Sequence, residues 1–510
     1  MKKTVLLKTI TLLIAACFAL SNAQQYKIYD MNGKNLGTYN GEVSKQTLIL
    51  FAKNNHGSVL VKKNNSKENK FYSTKTLKNL TLAQINQATQ NIELSYDSLN
   101  EEKWIEVEKN EIVKICQSNR VFAWETSLNS RIINDSCLAF QAPTLNGVES
   151  ISVYLSDSNS AQKINLAVGM KYLNFKNEEV LLGYNSYDEE SLKLSRNCVT
   201  EKGTIDCTPQ NEDPERIVKV TGTYLVDKYP ITNCEFIQAT WDNIPNKSPH
   251  LNLSIKNRHD EWISRKKNSI HNGKCDVHDT AASTVTLYQA IKYANARSSR
   301  EGLKPYYTFA QTSTNKEDIQ PNGYVILGLD FEWPSISNDE GFIQVSEDHS
   351  SNGYRLPYYD EWMMLARGGS KEVVSPWGDP SKDTTLTLDD MMKYGTFTTT
   401  KPHSEKEIHH SEPVGQKQPN GYGLYDMFGL VGEHVLMKYE IWSNFYNPSC
   451  RKGGEYRVKL EDDDYSLSTY WKHISFGHFR AGHWGAFDGF RLIRNIGNDA
   501  KWENIESGTK

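Results

Sequence analysis

The residues best suited to chemistry lie toward the C-terminal end of the chain. His473, His478 and His483 recur at five-residue steps, with Trp471 and Trp484 beside them. Three imidazoles can bind zinc or copper. A five-residue step does not keep side chains on one helix face, however, and Gly477, Gly482 and Gly485 point to loops. Solvated or packing histidines are the plainer reading, and His409-His410 reads the same way. Glu461 to Asp464 is an acidic run, either a solvated loop or a collector of a cation or basic partner. Asp426, Gly429, Val431 and Glu433 fall within one short segment. Calcium prefers carboxylates mixed with backbone carbonyls. The plainer alternative is an aspartate capping a turn and a glutamate in a surface salt bridge. No Ser-His-Asp triad is visible, because its members need not be close along the chain.

These groups must be held by a large scaffold. The chain has 510 residues, 58 Lys plus Arg against 62 Asp plus Glu, and a formal charge of −4. At about 150 residues per domain, two to four domains are expected. With 27 Tyr and 11 Trp, the composition is not that of a disordered chain. The charge is spread without a long basic run, so nucleic-acid binding is not the main task. Eight cysteines are too few for a disulfide scaffold.

The beginning of the chain reads as an export signal. Lys2 and Lys3 form a basic start, Ile10 to Leu20 an apolar stretch, and Ser21-Asn22-Ala23 a cleavage site before Gln24. The alternative is a lipid anchor, since Ile14-Ala15-Ala16-Cys17 has the shape of a lipobox with Cys17 as the modified residue. Both readings export the chain to the periplasm, cell surface or medium. No later segment approaches the roughly 18 apolar residues of a transmembrane span. Losing Lys2, Lys3 and Lys8 takes the basic count from 58 to 55 and the charge from −4 to −7. The remaining cysteines are Cys116, Cys137, Cys198, Cys207, Cys234, Cys275 and Cys450. Their odd number leaves at least one without an internal partner. Cys116 with Cys137 and Cys198 with Cys207 are the local bridges expected in an oxidising compartment, and Cys450 is the expected leftover thiol.

Residues 24–199 read as one or two small β-rich modules. Tyr26-Lys27-Ile28-Tyr29 alternates, Asn32-Gly33 is a hairpin turn, and Leu48 to Phe51 is a short buried run. Lys62 to Lys70 reads as a loop, Leu82 to Ile92 as weakly helical, and Val148 to Leu155 and Lys163 to Val168 as strands. The polar stretch 200–216, with two prolines and no apolar period, is the expected linker. Residues 217–496 form the expected second domain and 497–510 a tail.

From Tyr224 onward a series of motifs follows. Tyr224-Leu225-Val226-Asp227-Lys228-Tyr229-Pro230-Ile231-Thr232 opens it. Tyr354-Arg355-Leu356-Pro357 leads into Asp360-Glu361-Trp362, a helix start in which carboxylates meet the positive N-terminus. Ala366-Arg367-Gly368-Gly369, Pro376-Trp377-Gly378, Pro419-Asn420-Gly421-Tyr422-Gly423-Leu424-Tyr425-Asp426, Gly453-Gly454 and Gly489-Phe490-Arg491-Leu492 complete it. In this order, the series resembles the formylglycine-generating enzyme family, also called sulfatase-modifying factors. The resemblance implies an α+β, C-type-lectin-like fold over 217–496. It also implies a calcium site using the Asp426 and Glu433 side chains with the Gly429 and Val431 carbonyls. Leu430 and Gly432 depart from the family's Asn and Trp.

The family's oxidase chemistry needs two cysteines that hold copper(I) as soft thiolates. Val458 and Asp463 occupy those positions, and Cys450 lies eight residues before Val458. No copper and no formylglycine synthesis are therefore expected, and no residue is assigned a catalytic or cofactor-binding role. Two readings of function follow. One is a non-catalytic binding or structural protein of the bacterial cell envelope, with a glycan or protein partner and structural calcium among its expected features. The other is a diverged metal-dependent enzyme that uses the three histidines or a carboxylate such as Asp463.

Overall fold

The computed structural model describes residues 25–29, 35–40, 58–63, 69–73, 80, 82–94, 103–117, 121–134, 136–155, 161–183, 216–240, 279–283, 285, 287–312, 323–327, 342–369, 375–378, 383, 385–399, 412–436, 449–454, 459–460 and 488–504. Within these, short strands outnumber helices and the sheets mix parallel with antiparallel pairing. The chain divides into two compact units, one of residues 1–103, 111–142 and 150–165, the other of residues 104–110, 143–149 and 166–510.

The first unit is β-rich. Gln25–Tyr29 pairs antiparallel with Asn35–Asn40, the hairpin that Asn32-Gly33 predicts, and with Ser58–Lys63, which pairs in turn with Asn69–Ser73. The loop expected over 62–70 is therefore shorter, because strands run to Lys63 and resume at Asn69. The helix expected over 82–92 stops at Ile85, and Gln90–Leu94 is a strand. Ile92 lies opposite Ile115 in a parallel pairing, and this placement overrides a weak helical period. The apolar run 48–51 lies outside the described residues.

Strand Ile112–Gln117 alternates buried and half-buried positions and pairs with Cys137–Gln141. Val113, Ile115, Leu138 and Phe140 fill the buried face. Cys116 and Cys137 lie directly opposite one another, 4.1 Å apart at Cα, and form the expected disulfide. Cys234 is also disulfide-bonded. The expected Cys198–Cys207 bridge and the expected leftover thiol at Cys450 involve side chains outside the described residues.

The second unit begins upstream of 217. Met170–Leu182 pairs antiparallel with Arg216–Asp227, from Met170 opposite Asp227 to Leu182 opposite Arg216. Ile493–Asn504 adds on the other side. This three-stranded sheet takes one edge from the region expected to be a separate module and the other from the expected tail. Trp502 secures that tail by donating its indole N–H to the Tyr224 hydroxyl at 3.1 Å. The central strand alternates through Val218 and Val220, then buries Tyr224 to Asp227 continuously as it enters the core.

Two helices pack near it. Leu287–Arg300 buries Ala290, Ile291, Tyr293, Ala294 and Arg297, positions that recur at helical spacing. Tyr359–Arg367 buries Trp362, Met363 and Leu365. Asp360 and Glu361 occupy its first turn, and the Tyr358 N–H donates to the Glu361 carboxylate at 2.8 Å. Asn420 closes the other end, donating from Nδ2 to the carbonyls of Leu365 and Ala366 at 2.6 and 3.2 Å. Its Oδ1 accepts from the N–H groups of Tyr422 and Leu424. One amide thus caps the helix and shapes the turn of its own motif.

The disulfide closes a loop of 21 residues in sequence separation. Chain-entropy arguments give such a crosslink about 3 kcal/mol. Cys116→Ser/Cys137→Ser should lower the urea unfolding midpoint accordingly, and reductant should shift the parent protein but not the double variant at this transition.

Candidate functional site

The second unit's motifs converge on one buried arginine. Arg491 is fully buried, and Glu433 is 1% exposed. The guanidinium donates from Nε to both Glu433 oxygens at 2.8 Å and from Nη2 to Oε1 at 2.6 Å. Nη2 also reaches the Tyr425 carbonyl at 2.8 Å, and Nη1 reaches the carbonyls of Asp227 and Lys228 at 3.2 and 3.4 Å. The Trp362 indole N–H donates to Glu433 Oε2 at 2.7 Å. Strand Gly432–Leu436 carries Glu433, and its parallel pairing with Asp488–Gly489 sets the arginine two residues on. Beside this pair, Asp227 accepts from Arg297 Nη1 at 2.7 Å, Asn146 Nδ2 at 3.1 Å and the Leu492 N–H at 2.8 Å.

The four residues expected to hold calcium lie on this scaffold, but their states differ. Asp426 has φ of 54°. Its Oδ2 accepts from the Gly415 N–H at 2.6 Å, while Oδ1 is buried without a partner among the described residues. Burial pushes its carboxyl up to about 6. A cation is the kind of partner that such an oxygen lacks. Gly429 donates its N–H to the Gly453 carbonyl, and its own carbonyl accepts from the Val431 N–H, both at 2.7 Å. With φ of 70° and a hypothetical Cβ only 2.2 Å from the Thr396 carbonyl, position 429 admits no side chain. Glu433 is the poor fit, because its carboxylate is already committed to Arg491 and Trp362. The surface salt bridge considered for Glu433 is instead a buried one.

Leu430 shows how the family departure is accommodated. It holds φ of 59°, a conformation in which asparagine is far more at ease than leucine. Its side chain is fully buried with Tyr229, Ala281, Val414 and Val431. Apolar burial offsets the backbone cost.

Among the described residues, no group of three or more His, Cys, Asp or Glu side chains is placed to hold a metal. His473, His478, His483, Val458, Asp463 and the 461–464 run lie outside the described residues. Sequence reading missed two arrangements. Arg355 and Glu361 form a bidentate pair at 2.6 and 2.7 Å. Tyr306, Tyr358, Glu347 and His349 meet through side-chain contacts. Their residues are spread over 52 positions: strand pairing brings Tyr307 opposite Glu347, and tertiary packing brings in Tyr358.

Removing one partner of a buried ion pair leaves an uncompensated charge and costs about 3–5 kcal/mol. Arg491→Met should therefore destabilise the second unit by that amount in urea unfolding. Arg491→Met/Glu433→Met should recover part of the loss, since neither charge then stays behind.

The sulfatase-modifying factor enzyme 1-like domain matches residues 186–496, beginning upstream of the expected boundary. Chaperone protein LppX of Paenibacillus barcinonensis is 30% identical over 215 residues, 41% of this chain and 68% of that one. The inactive C-alpha-formylglycine-generating enzyme 2 of Bos taurus is 37% identical over 89 residues, 17% of this chain and 28% of its own. The formylglycine-generating enzyme of Thermomonospora curvata is 38% identical over 84 residues, 16% and 26% respectively. Among solved structures, Treponema denticola variable protein 1 aligns at 18% identity and a TM-score of 0.36, covering 68% of this chain and 99% of its own.

Proposed function

The chain belongs to the sulfatase-modifying factor enzyme 1-like family, and on that premise we propose that it is an exported, non-catalytic binding protein of the cell envelope with a protein partner. One contrast carries the reading. The residues that build the family scaffold are in place, including Asp227, Trp362, Asn420, Glu433 and Arg491. The two positions where the family resemblance puts copper thiolates are Val458 and Asp463. Valine offers no ligating atom, and aspartate is a hard oxygen donor ill-matched to copper(I). The scaffold is of the C-type-lectin-like kind. Rigid frames of that kind leave their loops free to recognise partners.

Similarity to a protein named as a chaperone supports a protein partner over a glycan. Export is supported by the basic, apolar and small-residue order of residues 1–23 and by a disulfide suited to an oxidising compartment. No helix among the described residues is long and apolar enough to cross a membrane. Cleavage before Gln24 is proposed over lipidation at Cys17.

Two measurements test the reading. Copper-loaded protein should leave a sulfatase-type cysteine peptide unchanged in mass, and aldehyde formation would overturn the non-catalytic reading. Stoichiometric protein should suppress aggregation of an unfolded exported polypeptide. Glycan-array binding without such suppression would replace the protein partner with a sugar.

The calcium expectation becomes a narrower proposal. The cation is held by Asp426 with the Gly429 and Val431 carbonyls, while Glu433 stays in its ion pair. Calcium should raise the melting temperature of the parent protein and leave Asp426→Ala unmoved. An equal rise in both would remove Asp426 from the site.

A further inference from the structure

Two buried side chains of the second unit meet on one buried carboxylate. Lys109 lies just beyond strand Lys103–Val107, and Asn146 lies just before strand Gly147–Leu155. The carboxylate is that of Glu235, in the first turn of helix Asn233–Thr240. The Lys109 and Glu235 side chains are 1% and 0% exposed, and Asn146 is 2% exposed. Lys109 Nζ lies 3.5 Å from Glu235 Oε2, and the Asn146 backbone N–H donates to Glu235 Oε1 at 2.8 Å. The Asn146 side chain is aimed by a further bond, from Nδ2 to Asp227 Oδ1 at 3.1 Å. Its Oδ1 is buried without a partner among the described residues.

The backbone holds the lysine and the asparagine side by side. The Asn110 N–H donates to the Pro143 carbonyl at 3.0 Å, and the Gly169 N–H donates to the Val107 carbonyl at 2.8 Å. A Cβ on Gly169 would lie 2.2 Å from Asn146 Oδ1, 3.0 Å from Asn146 Cγ and 3.4 Å from Lys109 Cγ. The two side chains thus flank one point that no third side chain fills, and Lys109 has its Cδ, Cε and Nζ still to extend from there.

We propose that Lys109 and Asn146 become joined by an intramolecular amide bond, Nζ to Cγ, with Glu235 as the proton carrier. Three features favour it. An ammonium carries three donors, and that of Lys109 has one acceptor among the described residues, at the long distance of 3.5 Å. A buried charge pair so loosely made recovers little of its desolvation cost. Next, the amine and the amide are held together away from water, so that a slow reaction between two groups becomes effectively intramolecular. Last, the carbonyl oxygen on which charge develops is the unpartnered Oδ1, open to a proton from Glu235.

The step balances without an oxidant. The Lys109 ammonium passes one proton to the Glu235 carboxylate, and the freed lone pair on Nζ attacks Asn146 Cγ. The Nζ–Cγ bond forms and the Cγ–Nδ2 bond breaks. A second proton moves from Nζ to Nδ2, which leaves as ammonia, and the first proton remains on Glu235. A buried ion pair is replaced by a neutral amide beside a neutral carboxyl, which a buried site favours. The new bond closes residues 109–146 into a covalent loop. The Cys116–Cys137 bridge lies inside that loop in sequence. Unlike that bridge, the amide resists reductant.

The test is peptide mapping of the purified full chain after reduction, alkylation and trypsin. The expected product is residues 104–114 joined to residues 132–163, lighter than the two peptides together by one ammonia. Fragmentation should place the joint at Lys109 and Asn146. Lys109→Arg should abolish the product and restore cleavage after position 109. Glu235→Gln should slow its formation by about a hundredfold or more. Circular dichroism checks that both variants fold, and the map of the parent protein decides the proposal if they do not. A folded parent protein that yields only separate peptides 104–109 and 132–163 overturns it. So does an ammonia loss confined to 132–163, the mark of a succinimide at Asn146-Gly147, or a link formed at an undiminished rate in folded Glu235→Gln.

Discussion

The buried pair of Arg491 and Glu433 is the constraint on which the second unit depends. A guanidinium carries five N–H donors in a rigid plane, and burial is tolerable only when those donors meet acceptors. Here the acceptors come from strand Gly432–Leu436, the loop at Tyr425 and the end of strand Arg216–Asp227. Trp362 brings in a helix by occupying the same carboxylate. Segments up to 264 residues apart must therefore reach one place before the charge is satisfied. Desolvation opposes such a pair almost as strongly as attraction favours it. Its main contribution is to select one arrangement, since any other leaves a buried charge without partners.

Much of this unit was legible in the sequence. The helix at Tyr359 announced itself through Leu356-Pro357 and its first-turn carboxylates, and the family order of motifs is borne out. The boundaries were less visible, because strand Met170–Leu182 carries no motif and joins the sheet through long-range pairing alone. The expected tail carries Trp502 and Ala500, which pack against the core. Of the expected calcium set, the residues were visible but their occupancy was not. Nothing local in the sequence says that Glu433 belongs to an arginine 58 positions away. The tyrosine cluster was hidden for the same reason, since Tyr306 and Tyr358 become neighbours only through tertiary packing.

The loop from Asp426 to Glu433 shows two solutions to the problem of holding irregular backbone. One is a fixed internal cation, Arg491, which neutralises Glu433 and binds nearby carbonyls. The other is apolar anchoring, in which Leu430 accepts a positive φ because its side chain is fully enclosed. Asp426 has neither solution for its second oxygen. The loop is therefore settled at its C-terminal end by charge and in its middle by burial, and it keeps one unanswered carboxylate oxygen near its start.

The same division shows what the strong motifs hold in place. Gly453 belongs to the paired glycines that precede the two expected cysteine positions. Its φ is 87°, and a Cβ there would lie 2.5 Å from the Met427 carbonyl and 3.2 Å from the Trp362 ring. Its carbonyl also receives the Gly429 N–H. The glycine is therefore required by the packing of Trp362, and through that ring by the Glu433–Arg491 pair, whatever residues follow. The same holds for Asn420, whose amide is occupied with helix and turn. None of the hydrogen bonds just described uses the side chains of positions 458 and 463. With Val458 and Asp463 where the family resemblance expects thiolates, the chain still makes each of these hydrogen bonds. The strength of these motifs thus reports on the scaffold that they build.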